Sequence, residues 1–595
     1  MHPAQTRLNL GVDGLVILVY FVGIVGIGLY AARRNTSLRD FALGGHSIPW
    51  WAVLASIIAA ETSAVTFLGA PAEGFKHRSY AYAQLAIGTI LARIIIAWLF
   101  IAPYYRYKVE SIYEFLTLRF GERTKNMASG IFLVTRVLGI GVRLYLGGVI
   151  LVVVYRYLFP VSEITIWTYV WGIVFVTFVT TLYTAAGGIK AVVWTDLIQA
   201  CLMIGAILFS IVAVFRDIPG GMRTVHEQLA GQDLSMFQTG WDTAKPFGAA
   251  LRAMLETEYT IFAALIGITF FTMATHGTDQ DMVQRMLTAE NTAKSRLSLI
   301  LSGFADIPVV LSFLTVGVLL WVRYRVHPDP SLPAEDNEIF AHYIVNEMPV
   351  GIRGLMIAGV FATMMGSTSA ALNALATSFI RDFYQPYIRP AATDRQAVSA
   401  ARWATSLFGC LMIVVAAAAA YTVLHTHVTI IPLALGILGY SYGSLLGVFL
   451  LGVLTRTRGS DRANVFAMIL GIVSVLVLCK IQIPLRESAG SSGGVVKQTL
   501  DSGSVPLWEA VNGAGRAVKQ TLDSGVVPLW ESANSSAGYV VKQTLDCGWF
   551  LPSWWPAIAW PYFVFIGCAT TVLIAVCFRS RGPEMPDAPQ MPVAS

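Results

Sequence analysis

Five ionisable residues lie inside long apolar stretches of the sequence, a setting in which charge is costly and usually functional. They are Glu61, Arg136, Arg143, Asp196 and Asp306. Such groups bind a polar solute, relay protons, or pair with one another to hold helices together. The sequence contains no Ser–His–Asp set, no phosphate-binding glycine loop and no zinc-like spacing of His and Cys. It therefore predicts a protein that is not an enzyme and that draws energy from an ion gradient.

Two clusters of small polar residues lie within the same kind of stretch. Ala59–Ala64 begins about 18 Å into an apolar run that starts at Ile48, which is close to the middle of a bilayer. Gly366–Ala370 lies between Thr363 and Asn373. Broken membrane helices expose carbonyl oxygens that can hold a cation. The alternative is that both clusters are packing surfaces between helices.

The elements that must position these residues are membrane helices. Of the 595 residues, 55% are hydrophobic and 13% are charged, whereas soluble proteins carry about 25% charged residues. The net charge of +6 is not concentrated in a basic tract, so no nucleic-acid partner is expected. The six cysteines form no CxxC pair, which predicts neither a disulfide framework nor a metal site. The first apolar run is too long for a signal peptide and is expected to be retained.

Thirteen stretches have the roughly 20 apolar residues that a membrane helix needs. They are 10–32, 48–71, 80–103, 126–158, 164–185, 188–215, 257–279, 297–323, 350–379, 397–421, 427–453, 463–484 and 556–578. Arg and Lys concentrate in alternate loops, at 33–34, 106–125, 285–296, 456–458 and 579–581. The positive-inside rule predicts that these loops are cytoplasmic, with the N-terminus outside and the C-terminus inside. We expect a multi-pass protein of the plasma (inner) membrane.

The segment 485–555 repeats itself with a period of 22 to 23 residues. The stretch Val496–Asp501 recurs from Val518 and again from Val541, and Pro506–Glu509 recurs from Pro528. We expect this segment to be an extracellular insert. It is interpreted as a recent tandem duplication without a role in transport, or as an outer docking or lid element.

Several motifs resemble the sodium:solute symporter family, which includes sodium/sugar, sodium/proline and sodium/sialic acid transporters. They are Phe41–Trp51, Ser63–Gly69, Gly187–Gln199, Asp279–Arg285, Asn373–Thr377 and Asp382–Tyr384. Gly187–Gln199 is the most specific of these motifs. The motifs occur in the family's order, and the resemblance covers roughly 10–484.

The resemblance implies an all-α fold with a LeuT-like core of two five-helix inverted repeats. The first repeat is expected at 48–215 and the second at 257–453, joined by the extracellular loop 216–256. The flanking parts are 1–47 with one helix and a cytoplasmic loop, 454–484 with another helix, the insert 485–555, and 556–595 with the last helix and a short tail.

The resemblance also implies a sodium site between the first and eighth core helices. The expected ligands are the backbone carbonyls of Ala59, Thr62 and Thr363 and the hydroxyl of Ser367, which are the oxygen ligands that a hard cation prefers. Gly366 departs from the family pattern, because many members carry a second hydroxyl there; Thr62 or Thr368 is an alternative source of that oxygen. Asp196 corresponds to an acid near the ion's inward exit and, with Ser369, is a candidate for a second ion site.

The candidate substrate-binding residues are Glu61, Thr66, Arg143, Thr272, Thr275 and Asp306. Glu61, Thr272 and Thr275 differ from the Asn and Tyr residues of the best-known sugar carrier, which disfavours a galactose-type site. Glu61 and Asp306 suit a cationic group or, when protonated, hydroxyls, whereas Arg143 suits a carboxylate. A zwitterion, an acidic sugar or a set of internal ion pairs would each satisfy these charges.

We therefore expect a secondary active transporter that carries a small polar organic solute with Na⁺ by alternating access. The solute is a sugar derivative, a carboxylate or an amino-acid-like molecule. The expected partners are this substrate and the lipid bilayer, with no obligate protein partner. The alternatives are proton coupling through Glu61, Asp196 or Asp306, and a transporter-like solute sensor.

Overall fold

Long apolar helices make up most of the chain, because inside a bilayer a helix satisfies its backbone hydrogen bonds within its own segment. The computed structural model describes residues 11–32, 37–158, 165–333, 336–426, 431–479, 482–490, 526–531, 539–546, 551–552 and 555–579. The expected cytoplasmic tail beyond Arg579, the repeats that start at Val496 and Val518, and residues 1–10 lie outside this part of the chain.

Twenty α-helices occur in the described residues, and each of the thirteen predicted spans coincides with at least one of them. They are α1 Val12–Ala32, α2 Leu38–Leu43, α3 Trp50–Glu61, α4 Ala64–His77, α5 Leu85–Leu99, α6 Ile101–Tyr107, α7 Glu114–Arg119, α8 Glu122–Leu158, α9 Ile166–Arg216, α10 Met222–Leu229, α11 Phe247–Glu256, α12 Thr269–Gly277, α13 Gln280–Leu287, α14 Thr292–Val326, α15 Asp336–Glu347, α16 Ile352–Phe379, α17 Asp394–Thr426, α18 Ile431–Leu454, α19 Asp461–Leu478 and α20 Phe563–Val576. A π-helical segment, Ala263–Ile268, leads into α12, and another, Ile380–Ile388, follows α16. Within the described residues, nine helices are long and apolar enough to cross a membrane, or ten if the bent pair α3–α4 is one span.

The second predicted span is interrupted, as its cluster of small polar residues indicates. Thr62 and Ser63 adopt extended backbone angles between α3 and α4, and the two halves are bent by 62°. The Ser63 side chain caps the new helix by accepting a hydrogen bond from the Thr66 amide. A short side chain with a hydroxyl is the kind that begins a helix in this way.

The fifth and sixth predicted spans are continuous in α9 except for a break at Gly188. Gly188 has φ +56 and ψ −152, a conformation that favours glycine. A Cβ at this position would lie 2.6 Å from the carbonyl oxygen of Phe41 in α2. The glycine therefore permits both the change of direction within α9 and the close approach of α2.

Three strands form in the segment that was predicted to be an insert, so the all-α prediction is wrong there and holds for the rest of the described chain. They are β1 Gln482–Gly490, β2 Val526–Glu531 and β3 Tyr539–Asp546, in the antiparallel order β1-β3-β2. Gln482 pairs with Asp546, and Val526 pairs with Leu545. The twelfth predicted span, 463–484, correspondingly ends early, because α19 stops at Leu478. Pro484 disfavours helix at and before its own position.

Two sets of loops gather at opposite ends of the helices. At one end, which we call the basic face, Arg381 pairs with Glu110, and the Arg119 guanidinium donates to the Thr455 carbonyl at 2.9 Å. At the other end, which we call the outer face, Gln84 donates to the Tyr259 carbonyl at 3.0 Å. The site residues lie on helices between these two faces.

Candidate functional site

The break between α3 and α4 frees backbone oxygens near the middle of the helix pair. Because Thr62 and Ser63 leave the helical path, the last carbonyls of α3 lose the N–H donors of a continuous helix. Those carbonyls include that of Ala59, a predicted sodium ligand, and the carbonyl of Thr62, another predicted ligand, lies in the break itself. The other two, Thr363 and Ser367, lie on α16, where the Ser367 hydroxyl donates to the Thr363 carbonyl at 3.1 Å.

Helix α16 approaches the break through Gly366. A Cβ at Gly366 would lie 3.4 Å from the Ala59 carbonyl oxygen. Ser63 and Ser367 also line the same cavity of about 10 Å³, which has room for about one water molecule. The structure thus brings together the two elements on which the sodium ligands were predicted, while the assignment of individual ligands stays a prediction.

Asp196 of α9 is fully buried beside this region. Its Oδ2 accepts a hydrogen bond from Ser56 Oγ at 2.6 Å and forms an ion pair with Arg285. Its Oδ1 has no hydrogen-bond partner among the described residues. Ser369 donates instead to the Gly366 carbonyl of its own helix at 3.1 Å. The second ion site predicted for Asp196 and Ser369 stays a prediction, and Arg285 is a partner that the sequence reasoning missed.

Glu61 belongs to a charge cluster (Glu61, Arg93, His276 and Asp306) that joins α3, α5, α12 and α14. Arg93 Nη2 lies 2.6 Å from Glu61 Oε2 and 2.8 Å from Asp306 Oδ2. His276 Nε2 lies 2.5 Å from Glu61 Oε1. The Arg93 side chain is 1% exposed and each carboxylate side chain is 18% exposed. The sequence left open whether Glu61 and Asp306 bind a charged solute or pair with other residues of the protein. In the structure both form internal ion pairs.

Arg93 was missed by the sequence reasoning, although its position carried a signal. It lies well inside the third predicted span, 80–103, where an arginine is as costly as the five ionisable residues that were selected. In the structure its guanidinium also donates to the Ser302 hydroxyl at 3.1 Å. Arg93 is thus the cation that balances the two candidate substrate acids.

The three candidate substrate-binding threonines, Thr66, Thr272 and Thr275, lie beside the helix break or beside the charge cluster. Thr275 Oγ1 lies 2.9 Å from His276 Nδ1 and donates to the Thr272 carbonyl at 3.4 Å. The Thr66 amide donates to Ser63 Oγ at 3.4 Å. Thr275 is therefore tied to the charge cluster, whereas Thr66 belongs to the helix break.

Arg143 of α8 differs from the other intramembrane arginines. In the described part of the chain, no carboxylate lies within 4 Å of its guanidinium. The central carboxylates form ion pairs with other arginines: Glu61 and Asp306 with Arg93, Asp279 with Arg136, and Asp196 with Arg285. Arg143 is half-buried and lines the small cavity with Ser63 and Ser367. A buried charge without a partner is unfavourable, so this guanidinium suits an anionic ligand.

A second ionic network lies between the site and the basic face. Arg136 Nη1 lies 3.1 Å from Asp279 Oδ2, which accepts a hydrogen bond from the Tyr442 hydroxyl at 2.6 Å. Nearby, His46 Nδ1 lies 2.5 Å from the Leu287 carbonyl. Burial lowers the pKa of His46, which lies in the loop ahead of α3. These contacts tie α8 and the loop before α3 to the segment that follows α12.

A larger cavity opens toward the outer face. It has a volume of about 300 Å³, and its lining includes Glu73, His77, Tyr82, Asp233 and Tyr259. Its acidic side chains favour cations over anions. The sequence reasoning did not identify this cavity, since its lining comes from α4, the segment after it, α14, and residues 232–238 and 259.

Comparison with known proteins shows which family this chain belongs to and which proteins are similar to it. Residues 41–471 match the model of the sodium:solute symporter family. The sodium/sialic acid symporter NanT of Aliivibrio fischeri is 29% identical over 77% of this chain and 85% of its own length. The sodium-coupled monocarboxylate transporter 2 of Bos taurus is 28% identical over 74% of this chain and 68% of its own length.

A solved structure of a Na⁺-coupled sialic acid symporter, in a substrate-bound outward-open state, shares the fold. It has a TM-score of 0.70 at 22% identity and covers 95% of this chain and 97% of its own. The helical membrane architecture is thereby confirmed. The prediction of sodium-coupled symport of a small organic solute is confirmed as well, at the level of the family, whose members are transporters. The chain belongs to the sodium:solute symporter family.

Proposed function

We propose that the co-transported solute carries a carboxylate and that Arg143 binds it. One observation supports this proposal: among the described residues, Arg143 has no carboxylate within 4 Å. The other three described central arginines each have one, namely Arg93, Arg136 and Arg285. Its planar guanidinium matches a carboxylate through two parallel hydrogen bonds. The acids Glu61 and Asp306 do not compete for this role, because Arg93 engages both.

The relatives support an anionic solute. NanT is a sodium/sialic acid symporter, and the Bos taurus relative is a sodium-coupled monocarboxylate transporter. A solute with a carboxylate is common to both names. Thr66, near the helix break, and the Thr272–Thr275 pair, beside the charge cluster, are the hydroxyls that we assign to the rest of the solute.

Sodium is proposed to bind to the carbonyls of Ala59, Thr62 and Thr363 and to the Ser367 hydroxyl. Because Ser367 and Arg143 line one cavity, the ion and the guanidinium repel each other across a short distance. A carboxylate between them offsets this repulsion, so each ligand favours binding of the other. This reciprocal gain is the coupling free energy that symport requires.

We further propose thirteen membrane crossings and alternating access between outward- and inward-open states. The described residues contain nine helices that are long and apolar enough to cross a membrane. Counting α9 as two spans adds one, the bent pair α3–α4 adds one, and the shorter apolar helices 263–277 and 560–576 add two, which gives thirteen. The Arg- and Lys-rich basic face is assigned to the cytoplasm. The N-terminus is then outside, the C-terminus inside, and the location is the plasma membrane.

A thermal-stability screen tests the substrate class. The purified protein is heated with carboxylates, ranging from monocarboxylates to acidic sugars, and with their neutral amide or alcohol analogues, each in NaCl or in choline chloride. A ligand that binds the folded state raises the Tm, and we expect this only for carboxylates and only with sodium. Arg143→Gln should abolish the shift, whereas the exposed Arg402→Gln should keep it. Equal stabilisation by neutral analogues would overturn the assignment.

A second candidate is proton coupling, and the composition of the charge cluster favours it. Two carboxylates there face one arginine and one histidine, and carboxylates and histidines are the residue types that form proton relays inside membrane proteins. Uptake driven by an imposed pH gradient in sodium-free buffer would support this function. If no such uptake occurs while sodium drives transport, the cluster has a structural role only.

A further inference from the structure

We propose that the side-chain oxygen of Gln199, on α9, is a ligand of the transported sodium ion and replaces the oxygen that Gly366 does not supply. This inference rests on the sodium site proposed above between α3 and α16. No residue outside those two elements was assigned as a ligand of that site. The motif Gly187–Gln199 ends at Gln199 but does not by itself indicate a role in sodium binding.

The geometry around Gly366 carries the argument. Within 4 Å of the position that a Cβ would occupy lie Gln199 Oε1 at 2.8 Å, the Ala59 carbonyl oxygen at 3.4 Å and Asp196 Oδ1 at 3.7 Å. These three oxygens come from two different helices and converge on one point. In a family member with a hydroxyl at this position, that space would hold the hydroxyl. Here the Gln199 amide reaches into it.

The orientation of the amide follows from its other partner. Gln199 Nε2 donates to the Tyr20 hydroxyl at 3.4 Å, and that hydroxyl donates in turn to the Met365 sulfur at 3.7 Å. Since the nitrogen is directed to Tyr20, Oε1 is directed toward Gly366. Gln199 is 2% exposed, and neither its Oε1 nor Asp196 Oδ1 has a hydrogen-bond partner among the described residues.

The chemistry of the convergent atoms selects a cation. All three are acceptors, and one belongs to the Asp196 carboxylate, whose other oxygen pairs with Arg285. Neither Gln199 Oε1 nor Asp196 Oδ1 accepts a hydrogen bond from the described residues. Buried acceptors without donors are unfavourable unless a cation or a donor molecule satisfies them. Carbonyl, amide and carboxylate oxygens are the ligands of hard cations. The ion that this protein co-transports meets that requirement.

The test measures sodium binding without substrate or transport. The Tm of the purified protein is recorded against NaCl concentration, with choline chloride keeping the ionic strength constant. Gln199→Met removes the oxygen and keeps the side-chain length; we expect the sodium midpoint to rise about tenfold or more. Adding Gly366→Ser to this variant returns a hydroxyl to the same space and should restore most of the affinity. Gln84→Met, a buried glutamine near the outer face, is the matched control and should leave the midpoint unchanged.

Two results would overturn the inference. A Gln199→Met midpoint within twofold of the wild-type value means that the amide is only structural. If that variant does not fold, Gln199→Glu replaces it and should bind sodium more tightly, so an unchanged midpoint there has the same meaning. If the wild-type protein itself shows no sodium-specific stabilisation, the sodium site as a whole fails, which is a different outcome from failure at Gln199 alone.

Discussion

Removing Arg93 should destabilise the protein through the two acids that it leaves behind. In the wild-type cluster its guanidinium lies 2.6 Å from Glu61 and 2.8 Å from Asp306. Arg93→Gln keeps a polar side chain of similar length but leaves two carboxylates facing each other without a cation.

The structure sets the size of the effect. Breaking a buried ion pair by removing one partner costs about 3–5 kcal/mol. Arg93 is 1% exposed, but the two carboxylates are 18% exposed and keep some hydration, so we expect the lower end, about 3 kcal/mol. At about 2 °C per kcal/mol for a large chain, the apparent Tm should fall by about 6 °C.

The assay compares charge-balanced and unbalanced variants. The Tm in detergent is measured for wild type, Arg93→Gln, Asp306→Asn and the double variant at one pH and salt concentration. The double variant removes one charge of each sign and leaves the Glu61–His276 pair, so it should recover at least half of the loss. The cycle thereby isolates the interaction between the two residues. An Arg93→Gln protein as stable as wild type, or a double variant that loses the sum of both single effects, would refute the charge-balance argument.

Three further predictions concern the site and its supports. Arg143→Gln should raise the KM for the carboxylate solute about 100-fold or more, because two charge-assisted hydrogen bonds are lost. Uptake kinetics measure the KM, and Arg143→Lys should raise it by less than Arg143→Gln does. Gly188→Ala should cost about 1–3 kcal/mol of stability, because its φ is +56 and its Cβ would meet Phe41; the Tm measures this. His46, whose pKa burial holds below its usual value, should make the Tm fall as the pH drops from 7 toward 5, because the unfolded chain then binds the proton more readily. His46→Gln should reduce that slope.

Each of these expectations has a contrary outcome. An unchanged KM in Arg143→Gln with an altered maximal rate would place the guanidinium outside the substrate site. A Gly188→Ala protein with wild-type Tm would mean that α9 bends without a left-handed residue. An identical pH slope in His46→Gln would assign the acid sensitivity to other groups.

The interrupted helix and the break within α9 could be predicted from the sequence because both have local causes. Small polar residues around Thr62 and Ser63 compete with the helical backbone for hydrogen bonds, and paired glycines at 187–188 permit a change of direction. The end of the twelfth span was misplaced because apolar residues continue past Leu478 into β1. Hydropathy alone cannot separate such a strand from a helix end.

The partners of the charged residues could not be predicted in the same way. Glu61 lies 32 residues from Arg93 in the chain, and Asp196 lies 89 residues from Arg285. Which acid meets which arginine depends on helix packing, which the periodicity of a single span does not encode. Gln199 illustrates the same point, because its proposed role depends on its proximity to Gly366, a residue without a side chain on another helix. The family pattern indicated that an oxygen was missing there and offered Thr62 or Thr368 as its source, but a residue on α9 could not be selected without the helix packing.

Sodium-coupled symport is tested most directly by uptake into proteoliposomes that contain the purified protein and have the same potassium buffer on both sides. A radiolabelled carboxylate that stabilises the protein in the screen is added with external NaCl or with external choline chloride. Sodium-coupled symport through this site predicts accumulation above the equilibrium level only with the inward sodium gradient, and loss of that accumulation in both Ser367→Ala and Arg143→Gln. Equal uptake in choline chloride, or undiminished sodium-driven uptake by both variants, would contradict it.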